Sequence, residues 1–140
     1  MKNEPTIFDK IINKEIPAEI VFENDKVLAF KDINPQAPTH VLFIPKIRIS
    51  TINDIQDDQA ELVGQLFLAA RDYAKQIGED ENGYRVLMNC NKNGGQEVYH
   101  IHLHFLAGRR MVWPPGWYLI GTECQIIKNL NHLEVNYEWQ

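Results

Sequence analysis

Residues 96–108 read QEVYHIHLHFLAG, a run in which His100, His102 and His104 alternate with Ile101, Leu103 and Phe105. Side chains on a strand point alternately to opposite faces, so the three histidines share one face and the three apolar residues the other. The apolar set is enough to hold a strand against a core. Histidine at every second position opposite it is more than burial requires, and the chain has only five histidines.

Three explanations compete for this run. The first is the ordinary polar face of a half-buried strand. Metal binding is the second: histidines at i and i+2 can share one zinc ion, but His100 and His104 lie about 13 Å apart at ~3.3 Å rise per residue, so convergence of all three on one ion would strain the strand. Apart from Glu97, no nearby cysteine or carboxylate supplies a further ligand. The third is nucleophilic catalysis on phosphorus, for which neutral imidazole is suited because its pKa lies near 6.5. Such a nucleophile needs an acceptor for one ring N–H and donors for the phosphate oxygens. Gly94-Gly95-Gln96, just before the run, offers backbone N–H groups that a turn can direct at an anion.

The rest of the sequence predicts the scaffold for this run. Pro5 and the spacing of Ile7, Ile11 and Ile12 predict a short helix in TIFDKIINKEI, residues 6–16. AEIVFEN and KVLAFKD, residues 18–24 and 26–32, predict a hairpin around Asn24-Asp25-Lys26. INPQAPTH, residues 33–40, is a proline-containing loop, and HVLFIPK, residues 40–46, is apolar enough to predict a buried central strand.

Leu62, Val63, Leu66, Ala70, Tyr73, Ala74 and Ile77 mark one face of a long helix over 57–77, ending near Gly78. Asp58-Gln59-Ala60-Glu61 resembles its capping box. Gly64 within it predicts close approach of another element, from this subunit or a second one. GYRVLMNC and YHIHLHFLAG, residues 83–90 and 99–108, add two strands joined by NKNGGQEV. Five strands and two helices, with strands in runs, predict an α+β domain with a largely antiparallel sheet.

The 140 residues are enough for one domain, and 44% hydrophobic with 24% charged residues is a globular composition. A net charge of −5 and a pI near 5.5 argue against a polymeric nucleic acid partner but allow a small anion. Lys46, Arg48, Arg109 and Arg110 are cations available to one. No apolar stretch reaches membrane-spanning length, and MKNEPTIFDK has no apolar h-region. Cys90 and Cys124, far apart and outside any C-x-x-C pair, suit a reducing compartment. These features predict a cytoplasmic protein with no membrane partner.

Taken together, TIFDKIINKEIPAEIVFEND, AFKDINPQAPTHVLFIPK, GYRVLMNCNKNGGQEVYHIHLHFLAGRRM and WPPG resemble the histidine triad (HIT) proteins, and among them the purine nucleotide-binding branch called HINT or nucleoside phosphoramidases. The resemblance spans about residues 5 to 116. The family motif, His-φ-His-φ-His-φ-φ with φ apolar, is matched by His100 through Leu106.

The resemblance implies a HIT-like fold with a five-stranded sheet and two helices, the sheet extended across a homodimer. It divides the chain into a HIT domain, residues 1–116, and an extension, residues 117–140, packed on the domain or on the partner. It implies that His102 is the nucleophile, that His100 orients it, that His104 sits beside the phosphate, and that His40 is the fourth histidine. Asn89, Gly95, Gln96, Glu97 and Val98 would line the phosphate and ribose, and Asp32 would bind ribose hydroxyls. Phe8, Ile11, Ile16, Phe30 and Ile33 would wall the purine cleft, although core packing explains such apolar residues equally well.

Glu97 stands where some members carry serine, and Lys31 where some carry histidine. The implied reaction is hydrolysis of the P–N bond of AMP– or GMP–amine conjugates, without cofactor or metal. Dinucleoside polyphosphate hydrolysis and a non-catalytic nucleotide-dependent binding module are the alternatives. Nucleotidyl transfer fits less well, because that branch usually carries glutamine where this chain has His104.

Overall fold

The computed structural model describes residues 4–112. The second cysteine, WPPG and the extension 117–140 lie outside the described residues. Helix α1, Ile7–Ile12, is followed by strands β1, Ile20–Glu23, β2, Val27–Lys31, and β3, Thr39–Pro45. Short 3-10 turns then lead into helix α2, Ala60–Gln76, and strands β4, Arg85–Leu87, and β5, Leu103–Ala107, complete the chain. The five strands form one antiparallel sheet in the order β1-β2-β3-β5-β4, so β3 is central as its apolar sequence predicts.

The hairpin forms where its turn residues lie: the Asn24 side-chain oxygen accepts the Lys26 and Val27 N–H groups at 2.9 and 2.8 Å. Helix α2 covers one sheet face. Leu66, Ala70, Tyr73 and Ala74 pack there with Val27, Val41, Phe43, Leu103 and Phe105, each large apolar side chain contributing about 1.5–3 kcal/mol by leaving water. The opposite face carries Leu28, Phe30, Leu42 and Ile44, covered by Phe8 and Ile11 of α1.

Several expectations need correction. Helix α1 is shorter than residues 6–16, and Pro5 stands outside it. Thr6 is the N-cap: its hydroxyl accepts the Phe8 N–H at 3.2 Å, and Asp9 returns a carboxylate oxygen to the Thr6 N–H at 2.6 Å. The Asp58–Glu61 capping box does not form. A 3-10 turn, Asp57–Gln59, precedes α2, and Gln59 Oε1 reaches back to the Gln56 N–H at 2.8 Å. Nothing in the described chain beyond its own helix lies within 4 Å of a Cβ built on Gly64, so close approach there does not come from this subunit's described residues.

The most consequential correction concerns β5. It begins at Leu103, so His100 and His102 precede the strand and only His104 lies within it. The cause is Pro45. It has no N–H to donate, and its carbonyl accepts a bond from the His100 side chain at 2.7 Å. The backbone N–H of Ile101 turns instead to the carbonyl of Ile49, at 2.7 Å. The alternation of faces nevertheless persists, with Ile101, Leu103 and Phe105 all in the α2-side core. No helix among the described residues is long and apolar enough to cross a membrane.

Candidate active site

All four histidines named from the sequence are buried, and they form one connected group. The rings of His102 and His104 are 4.8 Å apart, and those of His40 and His104 5.3 Å. His40 comes from β3 and His104 from β5. They can meet because the two strands are paired in a register that sets His40 opposite Leu106 and Leu42 opposite His104.

Hydrogen bonds fix where each ring carries its proton. The Gln36 backbone N–H donates to His40 Nδ1 at 3.1 Å, so in the neutral ring the proton of His40 is on Nε2. That N–H donates to His104 Nδ1 at 2.9 Å, with an Asp32 carboxylate oxygen 3.5 Å away. His104 therefore carries its own proton on Nε2. His102 Nδ1 donates to the His100 carbonyl at 2.7 Å, which leaves Nε2 of His102 with a lone pair. His100 Nε2 donates to the Pro45 carbonyl. The result is one nucleophilic nitrogen, on His102, beside a ring, His104, whose Nε2 is a donor.

Burial keeps these rings neutral. It lowers the pKa of His40, His100 and His102 from the ordinary value, in each case as the largest cause. For His104, burial and the neighbouring His102 and His40 push the value down to about 3. The carboxylates of Asp32 and Glu97 act on His102 in the opposite direction.

The sequence-derived binding residues divide into groups. Phe8, Ile11 and Phe30, with Ile16 and Val98 against them, form one apolar cluster on the histidine side of the sheet. Phe8 brings this cluster to the site, its ring 5.1 Å from that of His102 and 5.9 Å from that of His100. Asp32 stands at the rim, one oxygen accepting the Asn34 N–H at 2.8 Å and the other near His40. Ile33 is 96% exposed and has no place in the apolar cluster. Asn89 is half-buried just beyond β4, and Glu97 is exposed.

The glycine loop differs from its expected use. The N–H groups of Gly95 and Gln96 donate to the Lys92 and Asn91 carbonyls, both at 3.0 Å, so these two close the loop and do not form an anion nest. The Gln96 side chain is also spent inside the loop. It accepts the Asn91 N–H at 2.9 Å and donates to the Ser50 and Val98 carbonyls at 2.7 and 3.1 Å.

Sequence reasoning missed Gln36, Pro45 and Asp9 as participants. Gln36 acts through its backbone N–H, which no residue type announces, and Arg109 holds the Gln36 carbonyl with bonds at 3.2 and 3.1 Å. Pro45 acts through its carbonyl. Asp9 lies 4.0 Å from His100 Nδ1, and its one sequence signal is the Thr6-x-x-Asp9 spacing of a cap.

The HIT domain family matches residues 13–111. The chain belongs to the HIT family. A purine nucleoside phosphoramidase of Escherichia coli (strain K12) is 54% identical over 106 residues, 76% of this chain and 89% of that protein. A 14 kDa zinc-binding protein of Zea mays is 52% identical over 118 residues, 83% of this chain and 91% of that one. Among solved structures, a HIT family hydrolase from Legionella pneumophila Philadelphia 1 superposes with a TM-score of 0.78 at 55% identity, over 80% of this chain and all of that one.

Zinc in the name of one relative prompts a test of fit. Among the described residues Asp32, His40 and His104 offer ligand atoms within 4.8 Å of one another. His40 Nε2 and His104 Nδ1 already share a proton at 2.9 Å, and the Gln36 N–H fixes that proton on His40. A cation there would have to displace it, so in this arrangement the three residues are a hydrogen-bonded relay and do not fit a metal.

Proposed function

We propose that this HIT-family chain is a hydrolase that cleaves the P–N bond of purine nucleoside phosphoramidates, AMP– or GMP–amine conjugates, through a nucleotidyl-histidine intermediate. The single observation that carries the reading is the His102 Nδ1–H bond to the His100 carbonyl, which leaves Nε2 as a lone-pair nitrogen.

In this reading His102 Nε2 attacks the α-phosphorus, the P–N bond breaks, and the amine leaves as it takes a proton from solvent water. His104 Nε2–H stands beside the reacting group and can donate a hydrogen bond to a phosphoryl oxygen. His40 and Asp32 hold His104 in that tautomer. Water then attacks the phosphorus of nucleotidyl-His102, releasing a nucleoside monophosphate and regenerating the ring. Phe8, Ile11, Ile16, Phe30 and Val98 would flank the purine, with Ile33 reaching it from the rim loop, and Asp32 would meet the ribose hydroxyls. Asn89, Gly95 and Glu97 border the phosphate, and Gln96 serves by shaping the loop that carries them. No cofactor is needed for this sequence of bonds.

The assembly we propose is a homodimer whose sheets join. Its support is that Gly64 is open, while Phe67 and Leu68 on α2 are 48% and 42% exposed. The HIT domain would span 1–116, with the extension 117–140 lying on the domain or on the partner and shaping substrate choice. A cytoplasmic location suits the two separated thiols.

Parallel assays on an AMP–amine conjugate and on diadenosine polyphosphates test the reaction. Faster turnover of the conjugate, with labelled nucleotide trapped on His102 by rapid alkaline denaturation, supports the proposal. Preference for the polyphosphates would replace it with the second hydrolase reading, and absence of any trapped nucleotide or turnover would leave a binding module.

A further inference from the structure

Asp9 does more than its place in helix α1 requires. As the third residue of the helix it returns Oδ2 to the Thr6 N–H at 2.6 Å, a task any acceptor side chain performs. Its charge is additional. The same oxygen lies 3.6 Å from Arg48 Nη1, and Oδ1 lies 4.0 Å from His100 Nδ1. Arg48 in turn donates to the Glu4 carbonyl, which ties it to the approach to α1. The cap and the guanidinium thus aim one carboxylate at a ring that is 0% exposed.

His100 is a ring with one satisfied nitrogen. Nε2 donates to the Pro45 carbonyl, and buried Nδ1 has no hydrogen-bond partner. In the neutral ring, Nδ1 presents a lone pair towards the carboxylate. In the protonated ring it presents an N–H, which the carboxylate attracts. The charged or titratable groups facing it are Asp9 from α1, Arg48 from the segment after β3, and His102 from its own segment. Asp9 favours the protonated ring, and Arg48 and His102 oppose it. Phe8 adds only its ring, 5.9 Å away.

We propose that Asp9 is a positioning residue for the histidine site: its carboxylate faces Nδ1 of the His100 ring and governs that ring's charge, while the Pro45 carbonyl orients the ring and the His100 carbonyl holds His102 Nδ1–H. Any proton His100 takes up at Nδ1 comes from solvent and is balanced by the Asp9 charge. When a nucleotide brings its phosphate near His102, a proton taken up at His100 Nδ1 would offset one negative charge there without protonating the nucleophile. This consequence rests on the hydrolase reading, whereas the charge coupling itself does not.

The test is an NMR titration of the histidine rings in the full chain, its Asp9→Asn and Arg48→Met variants, and an Asp9→Glu variant. Asn keeps an acceptor for the Thr6 N–H and removes the charge. Loss of the anion should lower the His100 pKa by at least ~0.7 unit, the shift produced by one unit charge 4 Å away even in water. Loss of the Arg48 cation should raise it, and Asp9→Glu should restore most of the wild-type value.

In phosphoramidate turnover, the kcat–pH profile of Asp9→Asn should move the same way as the His100 pKa, with KM little changed. Equal His100 pKa values in wild type and Asp9→Asn would overturn the proposal. So would shifts of the same sign in Asp9→Asn and Arg48→Met, which would report loosening instead of charge, or a His100 that stays neutral across the whole range. The titration needs no substrate, so the charge coupling stands or falls by it even if the protein turns over no phosphoramidate.

Discussion

His102 Nδ1 lies 2.7 Å from the carbonyl oxygen of His100, a bond between a side chain and the backbone only two residues before it. So local a bond holds the ring through the same extended segment that carries it, and the other nitrogen needs no second residue to keep it deprotonated. Replacing His102 by glycine should therefore remove the proposed nucleophile without collapsing the site. Turnover of an AMP–amine conjugate should fall by several orders of magnitude, towards the roughly 10⁶-fold lost when a hydrolase loses its nucleophile. Affinity for AMP should stay within about fivefold, ~1 kcal/mol. Near-normal turnover would remove His102 from the role.

Acid should unfold this protein earlier than its carboxylates alone would require. His40, His100, His102 and His104 are all depressed in the native state, whereas in the unfolded chain histidine titrates near 6.5. Below 6.5 the unfolded state binds more protons, so stability is fully present above that value and is lost as pH falls towards the native values. Each of these histidines withdraws up to about 1.4 kcal/mol per pH unit in that window. Urea midpoints at pH 7.5 and 5.0 measure the effect, and the midpoint should be clearly lower at pH 5.0. His104→Gln, whose side chain does not titrate, should show a shallower loss. An unchanged midpoint would contradict the buried neutral state.

Much of this site can be read in the sequence because a strand's period of two is a strong signal. The alternation of His100–His104 with Ile101–Phe105 assigns the faces correctly. It does not show where pairing starts, since alternation continues through extended chain that has no ladder, and the side-chain use of the Pro45 carbonyl cannot be seen from residue types. The same limit applies to Gly94-Gly95-Gln96. Composition marks a turn, but whether its N–H groups face a ligand or close the loop depends on the Lys92 and Asn91 carbonyls. His40 is legible through the family resemblance, whereas its partner, the Gln36 N–H, is not.

The α2 surface around Phe67 tests the proposed assembly. Gly64, Phe67 and Leu68 fall on neighbouring positions of the helix surface at spacings of three and four, and both large side chains are substantially exposed. A charge placed there should oppose burial against a second copy. Phe67→Glu should sediment as a monomer at concentrations where the wild type sediments as a dimer, with its own thermal transition retained. A monomeric wild type would sink the assembly proposal.

Gln96 separates a loop-shaping role from a phosphate-binding one. Its three bonds join Asn91, Ser50 and Val98, so Gln96→Ala leaves one N–H and two carbonyls to find other partners, at a cost of about 1–3 kcal/mol. Melting should fall by roughly 5–10 °C. Gln96→Glu should be at least as damaging, because a carboxylate oxygen would then face the Ser50 and Val98 carbonyls where an amide N–H now donates. If the side chain instead served the phosphate directly, Gln96→Ala would raise KM while leaving the melting temperature in place. Paired measurement of both quantities therefore decides the role, and the bonds around Gln96 favour the loss of stability.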